Sequence, residues 1–288
     1  MPTYYYYLIL TTSVVMFGFT FFLNNKFQKE VGSGLAASML FSLLSGAVGL
    51  LCLLVINRFR LDFTVFTLIM AIISALNGLA YTICSLKAFA HINLSVYSLF
   101  AMLGGMILPF LQGILFYDEG LTLGKIICMI FLTAALLLTV EKGDRKKKGW
   151  IYYAGVFVLN GMSGVISKFF QSSPYEKTDA ASFSIWSAIA SVVISGVLLL
   201  FLLKQVKFPS LIAILCAAGS GAINRIANFL LLIALAVLPA SVQYPFITGG
   251  VLVVSTALAP LAGQKPTVKE LISVALAFIG VLILVIIP

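Results

Sequence analysis

The sequence predicts an all-α integral membrane fold: ten transmembrane helices, laid out as two inverted five-helix repeats around a central cavity. Three observations predict it. Hydrophobic residues make up 61% of the 288 residues and charged residues only 9%, against about 25% charged in a soluble domain. Polar breaks divide the chain into ten apolar runs, each close to the roughly 20 residues that a helix needs to cross the hydrocarbon core. The end of the first half also reappears at the end of the second. Aligning Gly104-Gly105 with Gly249-Gly250 brings Glu119-Gly-Leu-Thr122 onto Gln264-Lys-Pro-Thr267 without a gap, and Ile127, Leu137 and Val140 onto Ile272, Leu282 and Val285. Five spans is an odd number, so the second copy is expected to be inverted in the bilayer.

The first repeat, residues 1–140, supplies runs at 4–24, 34–56, 63–89, 94–116 and 123–140. Its opening run starts with four tyrosines suited to headgroup level. Met1-Pro-Thr lacks the basic start of a cleavable signal, so this span is expected to be retained. The second run carries Ser38, Ser42 and Gly46 at four-residue spacing. Such a small-residue face allows close packing, with hydroxyls able to bond across the contact, or flanks a cavity. In the third run Asn77 and Tyr81 stand one turn apart, with Ser74 and Ser85 on the same stripe. Tyr97 and Ser98 open the fourth, and the fifth follows the Glu119 turn.

A charged linker, 141–149, joins the halves. The second repeat, residues 150–288, runs at 150–171, 180–203, 209–236, 242–261 and 268–287. Asn160, Ser163 and Ser167 mark one side of the sixth run, with Lys168 close by. Ser187, Ser191 and Ser195 in the seventh repeat the pattern of the second, beside Trp186, which packs outward or lines the cavity. In the eighth, Gly221, Asn224, Arg225 and Asn228 share a helical face. The ninth opens with Gln243, Tyr244 and Thr248 beside Pro245, which is expected to break its helix. A membrane β-barrel is excluded, because its strands alternate in polarity.

The net charge of +9 lies mostly in loops and reports orientation. Lys26, Lys29, Lys204, Lys207 and the linker's Arg145–Lys148 fall on one side, Arg58, Arg60 and Lys177 on the other. This bias predicts a cytoplasmic linker and both termini outside, in a plasma membrane of the bacterial inner or cytoplasmic type. Cys52, Cys84, Cys128 and Cys216 sit in apolar runs at no metal-ligand spacing. His91, at the turn after the third span, has no carboxylate beside it. No nucleophile–base pair, phosphate loop or metal spacing is present, so neither catalysis, a cofactor, a metal nor nucleic-acid binding is expected.

The half-ending turns carry a family resemblance. They read Leu115-Phe-Tyr-Asp-Glu119-Gly-Leu-Thr122 and Leu261-Ala-Gly-Gln264-Lys-Pro-Thr267, with Gln replacing Glu in the second copy. Each repeat also opens with a Gly followed about two turns later by a Lys: Gly18 to Lys26, with one extra residue, and Gly161 to Lys168. Across essentially its whole length the chain resembles the EamA-type ten-helix members of the drug/metabolite transporter superfamily. It departs from them in lacking the Trp usual before that Gly, where Phe17 and Asn160 stand. The resemblance implies that spans one, three, four, six, eight and nine line a cavity while five and ten brace the outside.

Inverted repeats are the mark of secondary transporters, which hold substrate between the halves near the midplane. All nine acidic residues fall in loops or at helix ends, and a proton-coupled exporter of lipophilic cations usually needs a carboxylate within the membrane. Arg225 is the reverse case, a cation near mid-span. It is read as a substrate ligand, with a tie to backbone carbonyls or snorkelling to the interface as alternatives. The expected function is alternating-access transport of a small anionic or zwitterionic, amino-acid-like metabolite by a monomer, a coupling proton or ion being left open. Candidate ligands are Asn77, Tyr81, Tyr97, Lys168, Asn224, Arg225, Asn228, Gln243 and Tyr244. Two other readings stay open. One is an aromatic box for a quaternary ammonium or drug. The other is a membrane scaffold that transports nothing.

Overall fold

The structure, a computed structural model, describes residues 3–89, 94–138, 150–205, 209–258 and 268–287. The described residues form ten α-helices, a short 3-10 turn and no strand. The first half holds α1 (Thr3–Val31), α2 (Leu35–Ile56), α3 (Val65–Phe89), α4 (Leu94–Phe116) and α5 (Leu123–Leu138). The second holds α6 (Trp150–Ser172), α7 (Ala180–Phe201), α8 (Leu211–Leu235), α9 (Ala240–Leu258) and α10 (Val268–Ile286). Six of these helices, α1, α2, α3, α7, α8 and α9, are long and apolar enough to cross a membrane. The linker, His91 and the Gln264 turn lie outside the described residues.

Local chemistry sets the boundaries. α1 continues past its apolar run through Asn24, Lys26 and Lys29. It ends where Gly32 takes φ 100° and returns its N–H to Gln28 O at 2.9 Å, a conformation that glycine adopts without a Cβ penalty. Asp179 caps α7 by accepting Ser182 N–H at 2.7 Å, and Ser210 caps α8 by accepting Ala213 N–H at 3.2 Å. Pro245 does not end α9, nor does Pro109 end α4. Packed neighbours let an apolar helix absorb a single missing N–H, so the expected break is absent.

Helix partnerships repeat when each helix is exchanged for its counterpart five places along. α1 packs on α8 and α9, and α6 packs on α3 and α4; α2 packs on α8, and α7 on α3; α2 meets α7, α4 meets α9 and α5 meets α10. Each opening helix therefore seats mainly in the other half of the chain. Glycines permit the closest approaches. A Cβ on Gly104 would strike the Phe157 carbonyl, and one on Gly221 the Ser45 backbone. Gly18 and Gly161 play like roles, against Val254 on α9 and against Gly104 and Leu108 on α4.

The serine stripes of α2 and α7 are buried. Ser38 and Ser195, however, donate to carbonyls of their own helices, Gly34 O at 3.1 Å and Ser191 O at 2.6 Å. Their value to the α2–α7 contact is therefore small size. Trp186 packs edge-on against Phe63, and its indole N–H donates to Asp62 O at 2.9 Å, which settles its packing role.

Candidate functional site

A cavity of about 320 Å³ lies between the halves, at the small end of the roughly 300–1,000 Å³ of ligand sites. Its wall draws on α1, α3, α4, α6, α8 and α9, and also on α2 and α7. The last two contribute Ser42 and Ser45, and Ser184, Ser187 and Ser191. The small side chains that let α2 and α7 approach each other also open the interior beside them. No described residue of α5 or α10 reaches the wall.

Arg225 is the sole charged side chain on that wall among the described residues. Its stem lies over Gly49 of α2, where a Cβ would collide with Arg225 Cγ. No hydrogen bond or ion pair joins the guanidinium to a described residue, so five N–H donors are available to a ligand. Asn224 and Asn228 stand with it. Asn228 Nδ2 donates to both the backbone and side-chain oxygens of Asn224, at 2.8 and 2.9 Å.

Across the cavity Asn77 donates to Leu159 O at 2.9 Å, and Asn160 donates to Ala101 O at 2.6 Å. These amides tie α3 and α4 to α6, and both residues belong to the cavity wall. Tyr81 and Tyr244 are both on the wall. Tyr244 is buried, and its hydroxyl donates to Gly164 O at 3.1 Å.

Thus Asn77, Tyr81, Asn224, Arg225, Asn228 and Tyr244 come together. Gln243 and Lys168 do not lie on the wall. Gln243 is fully buried and ties α9 to α8 through Leu231 O at 2.9 Å. Lys168 forms an ion pair with Glu119 Oε1 at 2.7 Å. The Tyr97 side chain lies outside what is described.

Sequence reasoning marked Glu119 as a duplicated position but missed its partners. Its carboxylate accepts Ala240 N–H at 2.9 Å and Ser241 N–H at 2.8 Å, which caps α9. Burial pushes its acidity down, but Lys168 and the Ser241 and Ala240 groups outweigh burial and hold the carboxyl below its ordinary value. The available signal was a carboxylate ahead of a helix that begins Ala-Ser after a Pro. Nothing local connected it to α9.

No protein-family profile matches the chain, and no curated protein does. Among solved structures, one described only as "Crystal structure of protein" matches with a TM-score of 0.75, covering 96% of this chain and 94% of that one at 18% identity. At that identity the likeness concerns the fold alone. The class established is accordingly an all-helical protein with several helices of membrane-spanning length and an interior cavity lined by both polar and apolar side chains.

Proposed function

We propose that the chain is a ten-span secondary transporter, built as two inverted five-helix repeats, that passes a small anionic or zwitterionic metabolite through the central cavity by alternating access. Arg225 carries the reading: a lone cation on the cavity wall, without a partner among the described residues. An Arg at the centre of a membrane helix costs about 2.5–3.5 kcal/mol on insertion scales. A substrate carboxylate or phosphate offsets that cost by accepting two parallel bonds from the planar guanidinium. Asn77, Asn224 and Asn228 supply neutral hydrogen bonds, and Tyr81 and Tyr244 cover apolar substrate surface.

The repetition of helix partnerships between the halves supports the repeat reading, as does the EamA-type pattern of the sequence. The excess of Lys and Arg on the side of Lys26, Lys29 and Lys204 supports a cytoplasmic linker. A quaternary ammonium fits less well, because the wall offers it a positive charge and no described carboxylate. A scaffold gives no reason for a cation on an inward face.

The test is a thermal-shift screen of purified protein against amino acids and phosphorylated metabolites. An acidic or zwitterionic ligand is expected to stabilise the wild type and to lose that effect in Arg225→Gln. Stabilisation only by cationic ligands, or an acidic ligand that binds both proteins equally, overturns the proposal.

A further inference from the structure

Beyond the central cavity, Lys168 and the start of α9 together hold a carboxylate of the chain itself. Lys168 on α6 is 8% exposed and pairs with Glu119, whose two oxygens also take the first N–H groups of α9. α9 has 19 residues, enough for its free amides to carry the positive end of a helix dipole. The Tyr117 ring faces Lys168 Nζ at 5.2 Å.

The Ser241 hydroxyl is fully buried and makes no hydrogen bond among the described residues. It nevertheless stands close enough to Glu119 to influence its ionisation. An open space of about 260 Å³ adjoins the ion pair, bounded by Gln171, Ser172 and the α8–α9 connection. On the inner side, Tyr244 and Gly164, bonded to each other, belong to the wall of the central cavity.

The occupant is a side chain from the other half of the molecule. Glu119 sits on the α4–α5 loop, which turns at Asp118 with φ 50°. Gly113 leaves room for its carboxylate, with Oε2 2.5 Å from where a Cβ would stand. Lys125 on α5 spends its ammonium on Gly120 O. Lys168 is therefore the cation that meets the carboxylate directly, Lys125 acts on it only through space, and Tyr244 is the nearby titratable group on α9.

We propose that Lys168 and the α9 N-terminus form an access subsite for the carboxylate of an incoming solute, and that Glu119 holds this subsite until the solute displaces it. The proposal deepens the transport reading and rests on it. Exchanging one carboxylate for another leaves the local charge unchanged, so Lys168 is never stranded without a counter-charge, the costly state for a buried ion. A planar carboxylate is the group specified, because a planar carboxylate already bridges the ammonium and both amides. Glu119 also ties the α4–α5 loop to α6 and α9, so its displacement releases that loop.

Full-length protein in lipid nanodiscs tests this in two ways. In Glu119→Ala the subsite is vacated. Acetate, exchanged for chloride at constant ionic strength, should raise the melting temperature saturably. That rise should persist in Glu119→Ala/Arg225→Gln and vanish in Glu119→Ala/Lys168→Met. In a Cys-free background, Ser241→Cys should react slowly with N-ethylmaleimide, and acetate should accelerate the reaction saturably as it displaces Glu119.

No acetate-specific rise, or a rise that survives Lys168→Met, overturns the proposal. Labelling that acetate leaves unchanged also overturns it, and that measurement decides alone if Glu119→Ala does not fold. Failure of the transport reading looks different. Acetate would still stabilise Glu119→Ala through Lys168, while no metabolite would show Arg225-dependent binding in the wild type.

Discussion

Replacing Arg225 by Gln should move binding and stability in opposite directions. The guanidinium has no partner among the described residues, so its removal leaves no orphaned carboxylate or carbonyl behind. Placing an Arg at mid-helix costs about 2.5–3.5 kcal/mol, part of which cavity water offsets. Relief of about 1 kcal/mol corresponds to a melting temperature about 2 °C higher in a chain of 288 residues. Binding should suffer instead. Hydrogen bonds to a charged group contribute about 1.5–3 kcal/mol, so losing them weakens Kd about 10- to 150-fold. Arg225→Lys keeps the charge and loses the fork, and should fall between wild type and Gln. Melting curves of the unliganded proteins read the first effect, and calorimetric titration with a ligand from the screen reads the second. A destabilised Arg225→Gln that binds ligand with full affinity would show the group to be a structural tie. A stable variant with unchanged affinity would show that the guanidinium reaches the interface.

The other expectations concern the frame of the cavity. Glu119→Gln, without added anion, should lower stability by on the order of 3 kcal/mol, because it removes the counter-charge of Lys168. The wild-type advantage should be complete above the ordinary carboxyl value of 4.5 and vanish as pH falls through the lowered value; melting curves of the two proteins that ran parallel into acid would contradict this. Gly104→Ala must push α4 away from the Phe157 carbonyl, and overpacking of that kind costs about 1–3 kcal/mol. Gly78→Ala meets nothing within 4 Å and should gain up to about 1 kcal/mol of helix propensity; similar melting temperatures for these two variants would undo the packing argument. In intact cells a lone cysteine at Arg60 should react with impermeant thiol reagents and one at Lys204 should not, the reverse pattern meaning that the charge bias points the wrong way.

The helices were legible because apolar length and polar breaks are properties of single segments. α1 outran its apolar stretch because backbone bonds continue through Asn24 and Lys29 until a residue can turn left-handed, and hydropathy does not measure that. Arg225 and its two asparagines were legible because they share one face of an otherwise apolar helix. Gln243 and Tyr244 show the limit. Adjacent residues point about 100° apart on a helix, and sequence alone does not say which of two polar neighbours faces inward. Tyr244 reached the cavity and Gln243 the back of α8. The pairing of Lys168 with Glu119 was beyond local reading altogether, since it joins a loop of one half to two helices of the other.

The seating of the opening helices bears on descent. α1 finds its main partners in α8 and α9, and α6 finds its own in α3 and α4. A half-length ancestor would have had an opening helix with no berth in its own chain. It would have had to assemble as a pair of copies, each lending that helix to its sister, before any duplication fused them. Such a fusion would fix the pairing in one gene and free the two copies to diverge. Glu119 opposite Gln264 is the kind of difference that identical sisters could not keep.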